Sequence, residues 1–180
     1  SSTAIGQTLN PYALEYVPGA SSSGTGAGIA AYFATVGLGS ETGVSIRNPT
    51  SENNLVGLAP TLGLVSRTGM IMSAPTHEPG GPMARSVYHM AATLTVIAGY
   101  DAEDLVTMAC RGKIPEGGYT QFVDPENGLK GARIGVLRDM FRKGPGREES
   151  LALIEAAIVD LEKAGATNVD PVSTGLDLFE

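Results

Sequence analysis

An α/β fold is expected from the order of three segments near the carboxyl end of the chain. Ala132 to Arg138 (ARIGVLR) is a short apolar run of the kind that forms a buried strand. Leu151, Ile154, Ile158 and Leu161 then recur at helical spacing, and Thr167 to Val172 forms a second strand-like run. Strand, helix and strand at this spacing argue for a parallel βαβ unit, because parallel strands need a crossover rather than a tight turn.

The remaining elements follow from local chemistry. Residues 1–23 read as loop, with Pro11, Pro18, Gly19 and three consecutive serines. Gly26 to Val36 is apolar nearly all round, which predicts a buried helix, and Gly37 and Gly39 break it ahead of a polar segment leading to Ser45. The wider run Ala27 to Gly39 is too short for a membrane span of about 20 residues and reads as a helix running into a strand inside the protein. Leu55 to Pro60 and Gly63 to Ser66 are expected to be short strands or a hairpin. Pro82 is expected to open a helix whose face is Met83, Val87, Met90, Ala91, Leu94 and Ile97, with Gly99 just past its end. Residues 100–130 are expected to be mostly irregular, the stretch 110–130 crossing a surface or a domain edge. Gly144-Pro145-Gly146 leads into the last helix, where Glu148 and Glu149 suit the positive end and Lys163 and Gly165 close it.

The composition narrows the function classes. The 180 residues can bury one core, so one domain or a large piece of one is expected. A hydrophobic content of 42% excludes disorder, and 17% charged residues is low against about 25% in typical domains. So little charge implies that part of the surface is covered by protein outside the chain. A net charge of −7 with scattered basic residues gives no footprint for nucleic acid. The single Cys110 cannot form an internal disulfide and fits a reducing compartment, so a cytoplasmic location is expected. SSTAIGQTLNPY has neither the basic nor the apolar region of a targeting segment.

The run PGASSSGTGAG at 18–28 admits three readings. As a phosphate loop it fails, because Thr25 stands where a lysine is needed. Gly26-Ala27-Gly28 with Ala31 matches a dinucleotide fingerprint, but a Pro-Gly-Ser loop precedes it instead of a strand. The plainest reading is a serine-rich loop that caps the helix through Ser23 or Thr25.

This run and the segments after it resemble the amidase signature family. The family's glycine- and serine-rich block appears as GASSSGTGAGIAA, and its second block, G-T-D-x-G-G-S-I-R-x-P, as GSETGVSIRNP. VGLAPTLGLVSRTGMI, GGPMARSVYHMAATLTVIAG and LKGARIGVLRDMF follow in the family's order, so the resemblance covers almost the whole chain. It implies a mixed, largely parallel sheet flanked by helices and hydrolysis of a carboxamide without cofactor or metal. It implies Ser45 as the nucleophile and Ser21, preceded by a cis peptide, as the bridging proton relay. The amides of Thr42, Gly43, Val44 and Ser45 would form the oxyanion hole. A neutral lysine would be the base, and no substrate-binding residue can be assigned.

A serine hydroxyl needs a base in hydrogen-bond reach. His89 falls on the polar side of its helix and His77 in a turn-like segment, and no G-x-S-x-G surrounds either serine, so a Ser-His-Asp triad is not expected. Burial lowers a lysine's pKa enough for the amine to accept a proton through Ser21. Lys113, Lys130, Lys143 and Lys163 lie in segments that match noncatalytic parts of the family, so the base is expected outside this chain. The chain is thus expected to be an internal, incomplete piece of one amidase domain. Its signature core would span about 15–100, an irregular connection 101–130 and a βαβ-like extension 131–180.

Two departures from the family pattern, and one residue that keeps it, carry further expectations. Val44 stands where glycine is usual, and a β-branched residue resists positive φ; its side chain is expected to narrow the site. Glu78 replaces an aspartate before GPMAR and reads as a harmless loop exchange. Arg47 is expected to brace the loop through a carboxylate such as Glu41, and loss of a buried partner of this kind costs about 3–5 kcal/mol.

The expected partners are a small-molecule amide and the remainder of the amidase polypeptide, with no direct nucleic-acid contact, no membrane span and room for a homodimer. Three alternatives stay open at this point: a transamidation component of a larger complex that works on misacylated transfer RNA, a noncatalytic homologue and, third, a dinucleotide-binding module.

Overall fold

A computed structural model describes residues 6–141 and 144–176 of the chain. They fall into two compact units, the first running to Val123 and the second from Asp124.

The first unit contains helix α1 (Ser23–Ala30), strand β1 (Val36–Ser40), helix α2 (Arg47–Glu52), strand β2 (Val56–Gly57), strand β3 (Gly80–Ala84) and helix α3 (Val87–Ile97). Turns of 3-10 helix follow at Leu105–Cys110 and Thr120–Phe122, in the region expected to be irregular. The strands form one antiparallel sheet in the order β1-β3-β2. All five residues of β3 are buried. The core is Met83 of β3 with Ile29 and Ile46, and Leu55 and Ala59 pack on them.

Two helix boundaries differ from the sequence reading for physical reasons. The Ala27–Gly39 run is indeed a helix followed by a strand, but the helix is Ser23–Ala30 and Val36 already belongs to β1. Gly39 does not break structure there. A Cβ on it would lie 2.8 Å from Ser22 Oγ and 2.9 Å from Met83 Sδ, so glycine lets the strand approach its neighbours. Likewise Pro82 and Met83 lie in β3, and α3 starts only at Val87, where Ser86 caps it by accepting the His89 N–H. Gly99 has no left-handed conformation, and its N–H donates to Leu64 O at 3.0 Å.

Helix α1 contains three glycines, which disfavour a helix. Packing and its ends hold it instead. Arg85 donates to the carbonyls of Ile29 and Ala34, both at 2.8 Å, and its guanidinium stacks over the ring of Tyr32 at 4.4 Å. Tyr32 itself turns the chain at φ +63°.

The second unit is the expected βαβ arrangement: strand β4 (Arg133–Leu137), helix α4 (Glu148–Lys163) and strand β5 (Thr167–Val172), with β4 and β5 parallel. The mixed character of the fold thus comes from one antiparallel and one parallel sheet. Leu151, Ile158 and Leu161 of the predicted stripe are half-buried, whereas Ile154 is exposed. Arg138 joins α4 to β5 by pairing with Glu155 and Asp170. No helix among the described residues is long and apolar enough to cross a membrane.

Candidate active site

The segment between β1 and α2 carries Ser45, and its shape is fixed by one buried carboxylate. Glu41, 4% exposed, accepts the N–H groups of Ile46 and Arg47 at 2.9 Å each and the Arg47 Nε at 2.6 Å. Burial pushes the Glu41 carboxyl up, but these backbone hydrogen bonds and then the guanidinium outweigh it and hold the group below the usual glutamate range. The expected Glu41–Arg47 brace is therefore present. Arg47 is not a buried partner, however, since its side chain is 62% exposed.

Every carbonyl from Gly43 to Ser45 is engaged. Arg47 donates to Gly43 O at 2.6 Å, Asn48 N to Val44 O at 2.7 Å and Ser22 N to Ser45 O at 3.2 Å. Among the described residues, the N–H groups of Thr42, Gly43, Val44 and Ser45 have no hydrogen-bond partner. The loop thus turns its acceptors inward and leaves four successive donors free. Thr42, Gly43 and Val44 are exposed and Ser45 is half-buried. Val44 stays outside the left-handed region, as only Tyr32 and Asn54 among the described non-glycine residues have positive φ. Its β-branch is accommodated without distortion.

The serine-rich loop lies against this segment. Ala20 N donates to Asn48 Oδ1 at 2.9 Å, and the buried Asn53 donates to Pro18 O at 2.7 Å and Pro49 O at 2.8 Å. The Ala20–Ser21 peptide is cis. Ser22 does not cap α1. Its Oγ donates to Ser40 O and accepts from Ser40 N, both at 3.2 Å, while Thr25 Oγ1 donates to Leu38 O at 2.9 Å. These two hydroxyls strap the loop and α1 to β1.

Ser21 and Ser22 line a cavity of about 460 Å³ together with Thr25, Ser40, Ser66 and Thr68, walled by apolar groups including Leu38 and Met70. Ser45 does not line it; the link to Ser45 is the backbone contact at Ser22. The hydroxyls of Ser66 and Thr68 both donate to Asp101 Oδ2, at 2.6 and 2.7 Å. No lysine among the described residues lines this cavity. Lys113 lines a separate one beside the buried Cys110, Lys130 and Lys163 belong to the second unit, and Lys143 lies outside the described residues.

Glu78 is not a harmless loop residue. It is 3% exposed and its Oε2 accepts the N–H groups of Ser73 at 2.7 Å and Ala74 at 3.0 Å. The Ala74 amide first, then that of Ser73 and the hydroxyls of Ser40 and Thr42, hold its carboxyl below the glutamate range against the effect of burial. Glu78 thereby ties the amino-terminal flank of the Ser45 loop to the segment before β3, where Glu41 N also donates to Pro79 O at 3.0 Å. Nothing in the spacing of a lone acidic residue among Pro and Gly marks it for this task. A buried pair was missed too: Arg67 holds Asp104 through two parallel hydrogen bonds of 2.9 and 2.8 Å.

Both histidines are exposed and contact neighbouring hydroxyls, Thr76 for His77 and Ser86 for His89. Gly26-Ala27-Gly28 lies inside α1 with no strand before it, which removes the dinucleotide reading. No group of three or more His, Cys, Asp or Glu side chains suited to a metal occurs among the described residues.

Comparison with known proteins places these features in a family. The Amidase family model matches residues 1–176. A glutamyl-tRNA(Gln) amidotransferase subunit of Synechococcus sp. (strain JA-3-3Ab) is 44% identical over 164 residues, 91% of this chain and 31% of that protein. The native peptide amidase of Stenotrophomonas maltophilia superposes with a TM-score of 0.82 at 44% identity, covering 93% of this chain and 33% of that one. The corresponding amidotransferase subunit from Thermotoga maritima gives a TM-score of 0.81 at 31% identity, covering 96% of this chain and 36% of its own. The chain thus spans about a third of the length of the relatives it matches.

Proposed function

Because the chain belongs to the Amidase family, we propose that it carries the nucleophile and oxyanion hole of an enzyme that hydrolyses a carboxamide C–N bond through a Ser45 acyl-enzyme. The observation that carries this reading is the row of four unpaired N–H groups at Thr42–Ser45, with the intervening carbonyls tied back. Donors fixed in this way need no reorganisation when negative charge develops on a carbonyl oxygen.

In the proposed reaction Ser45 Oγ attacks the amide carbon while its proton passes through Ser21 to a neutral lysine outside these residues. The oxyanion is held by the amides of Thr42, Gly43, Val44 and Ser45. The C–N bond then breaks, the proton returns to the departing nitrogen, and water releases the acid from Ser45 by the reverse proton path. Acyl transfer of this kind asks for no cofactor.

Trapping tests the reading. The intact enzyme is quenched during turnover of an activated ester or amide, and the acylated peptide is identified by mass spectrometry. Acylation of Ser45, lost in Ser45→Ala, is the expected result. Turnover with no label on Ser45 and full activity in Ser45→Ala would show another nucleophile, and absence of turnover would favour the noncatalytic reading.

A second reading rests on the equal identity to the Synechococcus amidotransferase protein and to the peptide amidase. In it the same acyl chemistry releases ammonia from an amide for transfer within a larger complex. Rates on free glutamine against carboxyl-terminal peptide amides separate the two.

A further inference from the structure

We propose that the Val44 side chain is a steric gate that restricts the acyl half of the substrate to groups unbranched at the α-carbon. The inference rests on the amidase reading above and deepens it to a substrate class. Val44 lies between its own unpaired N–H and that of Ser45, and the residue is 55% exposed. A carbonyl oxygen held by those two N–H groups brings the substituents of its carbon to the same side of the loop. On a primary amide one substituent is NH2, so the bulk that meets Val44 is the acyl group.

The gate is rigid. Val44 O is bound by Asn48 N at 2.7 Å, and the carbonyls on either side of it are bound to Arg47 and Ser22. Two residues on, Ile46 is fully buried, which anchors the loop to the core. Among the described residues the space beside it is open, because a Cβ added to Gly43 would meet no atom within 4 Å. Val44 is therefore the bulky apolar side chain of the segment that remains available to a substrate.

The test measures kcat/KM of the intact enzyme for acetamide and isobutyramide, in wild type, Val44→Ala and Val44→Ile. Removing two methyl groups should raise the isobutyramide-to-acetamide ratio about 10- to 100-fold, the range over which apolar pockets sense a methylene. Val44→Ile should lower it. A ratio that stays within about twofold in both variants, in an enzyme that Ser45→Ala still inactivates, overturns the gate and leaves the amidase reading standing. Turnover of α-branched peptide amides with none of acetamide overturns the gate and leaves the amidase reading standing, whereas absence of turnover on every carboxamide, peptide amides and glutamine included, overturns both.

Discussion

The backbone N–H of Ser22 donates to the carbonyl of Ser45 at 3.2 Å. This contact joins two glycine-rich loops that are separate in sequence and puts Ser45 beside the loop that carries Ser21. It also engages the Ser45 carbonyl, while the Ser45 N–H has no hydrogen-bond partner among the described residues. The serine loop is in turn strapped to β1 by Ser22 Oγ and pinned by Asn48 and Asn53. The geometry around Ser45 is held by short polar contacts between loops.

Substitution of the two serines should separate their roles. Ser45→Ala is expected to lower kcat/KM by about 10³-fold or more, because the covalent route is removed and only binding and the oxyanion donors remain. Ser21→Ala should cost about 10²- to 10⁴-fold, the worth of a general acid–base group. Neither change should shift the melting temperature, since neither side chain makes a hydrogen bond that holds the loops. Steady-state kinetics and thermal unfolding of the same preparations check both statements.

The Glu41–Arg47 pair gives an asymmetric prediction. Glu41→Ala leaves the N–H groups of Ile46 and Arg47 without their acceptor and should cost about 3 kcal/mol, several unsatisfied donors' worth. Arg47 is mostly exposed, and Arg47→Ala should cost only about 1 kcal/mol, as for solvent-screened pairs. Urea unfolding of the two variants measures the difference. Equal costs would mean that the ion pair, and not the backbone contacts of Glu41, holds the loop.

Glu78→Asp keeps the charge and shortens the side chain, and so tests how closely this chain has adapted to glutamate. A side chain one methylene shorter cannot hold the Ser73 and Ala74 amides and the Thr42 hydroxyl together without backbone movement. The expected outcome is a loss of about 1–2 kcal/mol in stability, the cost of weakening buried hydrogen bonds, with a drop in kcat larger than any change in KM. A variant as stable and active as wild type would return Glu78 to a neutral loop exchange.

How much of this was legible before the structure depended on the kind of signal. The βαβ unit was readable because Leu151, Ile158 and Leu161 recur at helical spacing between two apolar runs. The Glu41–Arg47 contact was readable because the two residues stand only six apart in the sequence. The strand Gly80–Ala84 was not, because Pro82 followed by an apolar stripe looks like a helix start, and only the capping by Ser86 moves the boundary. Glu78 and the Arg67–Asp104 pair left no local trace. Arg67 and Asp104 are separated by 37 residues, so neither constrains the pattern around the other.

Acid sensitivity follows from that buried pair. The Arg67 guanidinium holds the Asp104 carboxyl at about 2, below its ordinary value of 3.8. A carboxyl with a depressed folded pKa stabilises the protein above its unfolded pKa, and the contribution is lost as pH falls through the folded value. Asp104 should therefore contribute on the order of 2 kcal/mol above pH 4, fading between about pH 4 and pH 2. Asp104→Asn should flatten that part of the stability–pH curve. An unchanged acid limb in urea titrations would show that the pair is not a source of the pH dependence.

Two glycines that look alike in sequence should respond in opposite directions. Gly81 lies in the central strand, and a Cβ added there would sit 2.1 Å from the carbonyl oxygen of Leu58 and 2.7 Å from Pro60. The nearer obstacle is backbone, so it cannot rotate away, and Gly81→Ala should cost about 3 kcal/mol, the upper range for overpacking. Gly28 lies inside α1 with no atom within 4 Å of the added Cβ and without a positive φ. Gly28→Ala should therefore stabilise the protein by about 0.5–1 kcal/mol, the difference in helix propensity. Chemical unfolding midpoints of the two variants decide the matter. If Gly81→Ala were tolerated, the close approach of β3 to the segment after β2, and with it the packing that seats Ile46 behind Ser45, would have to be looser than described.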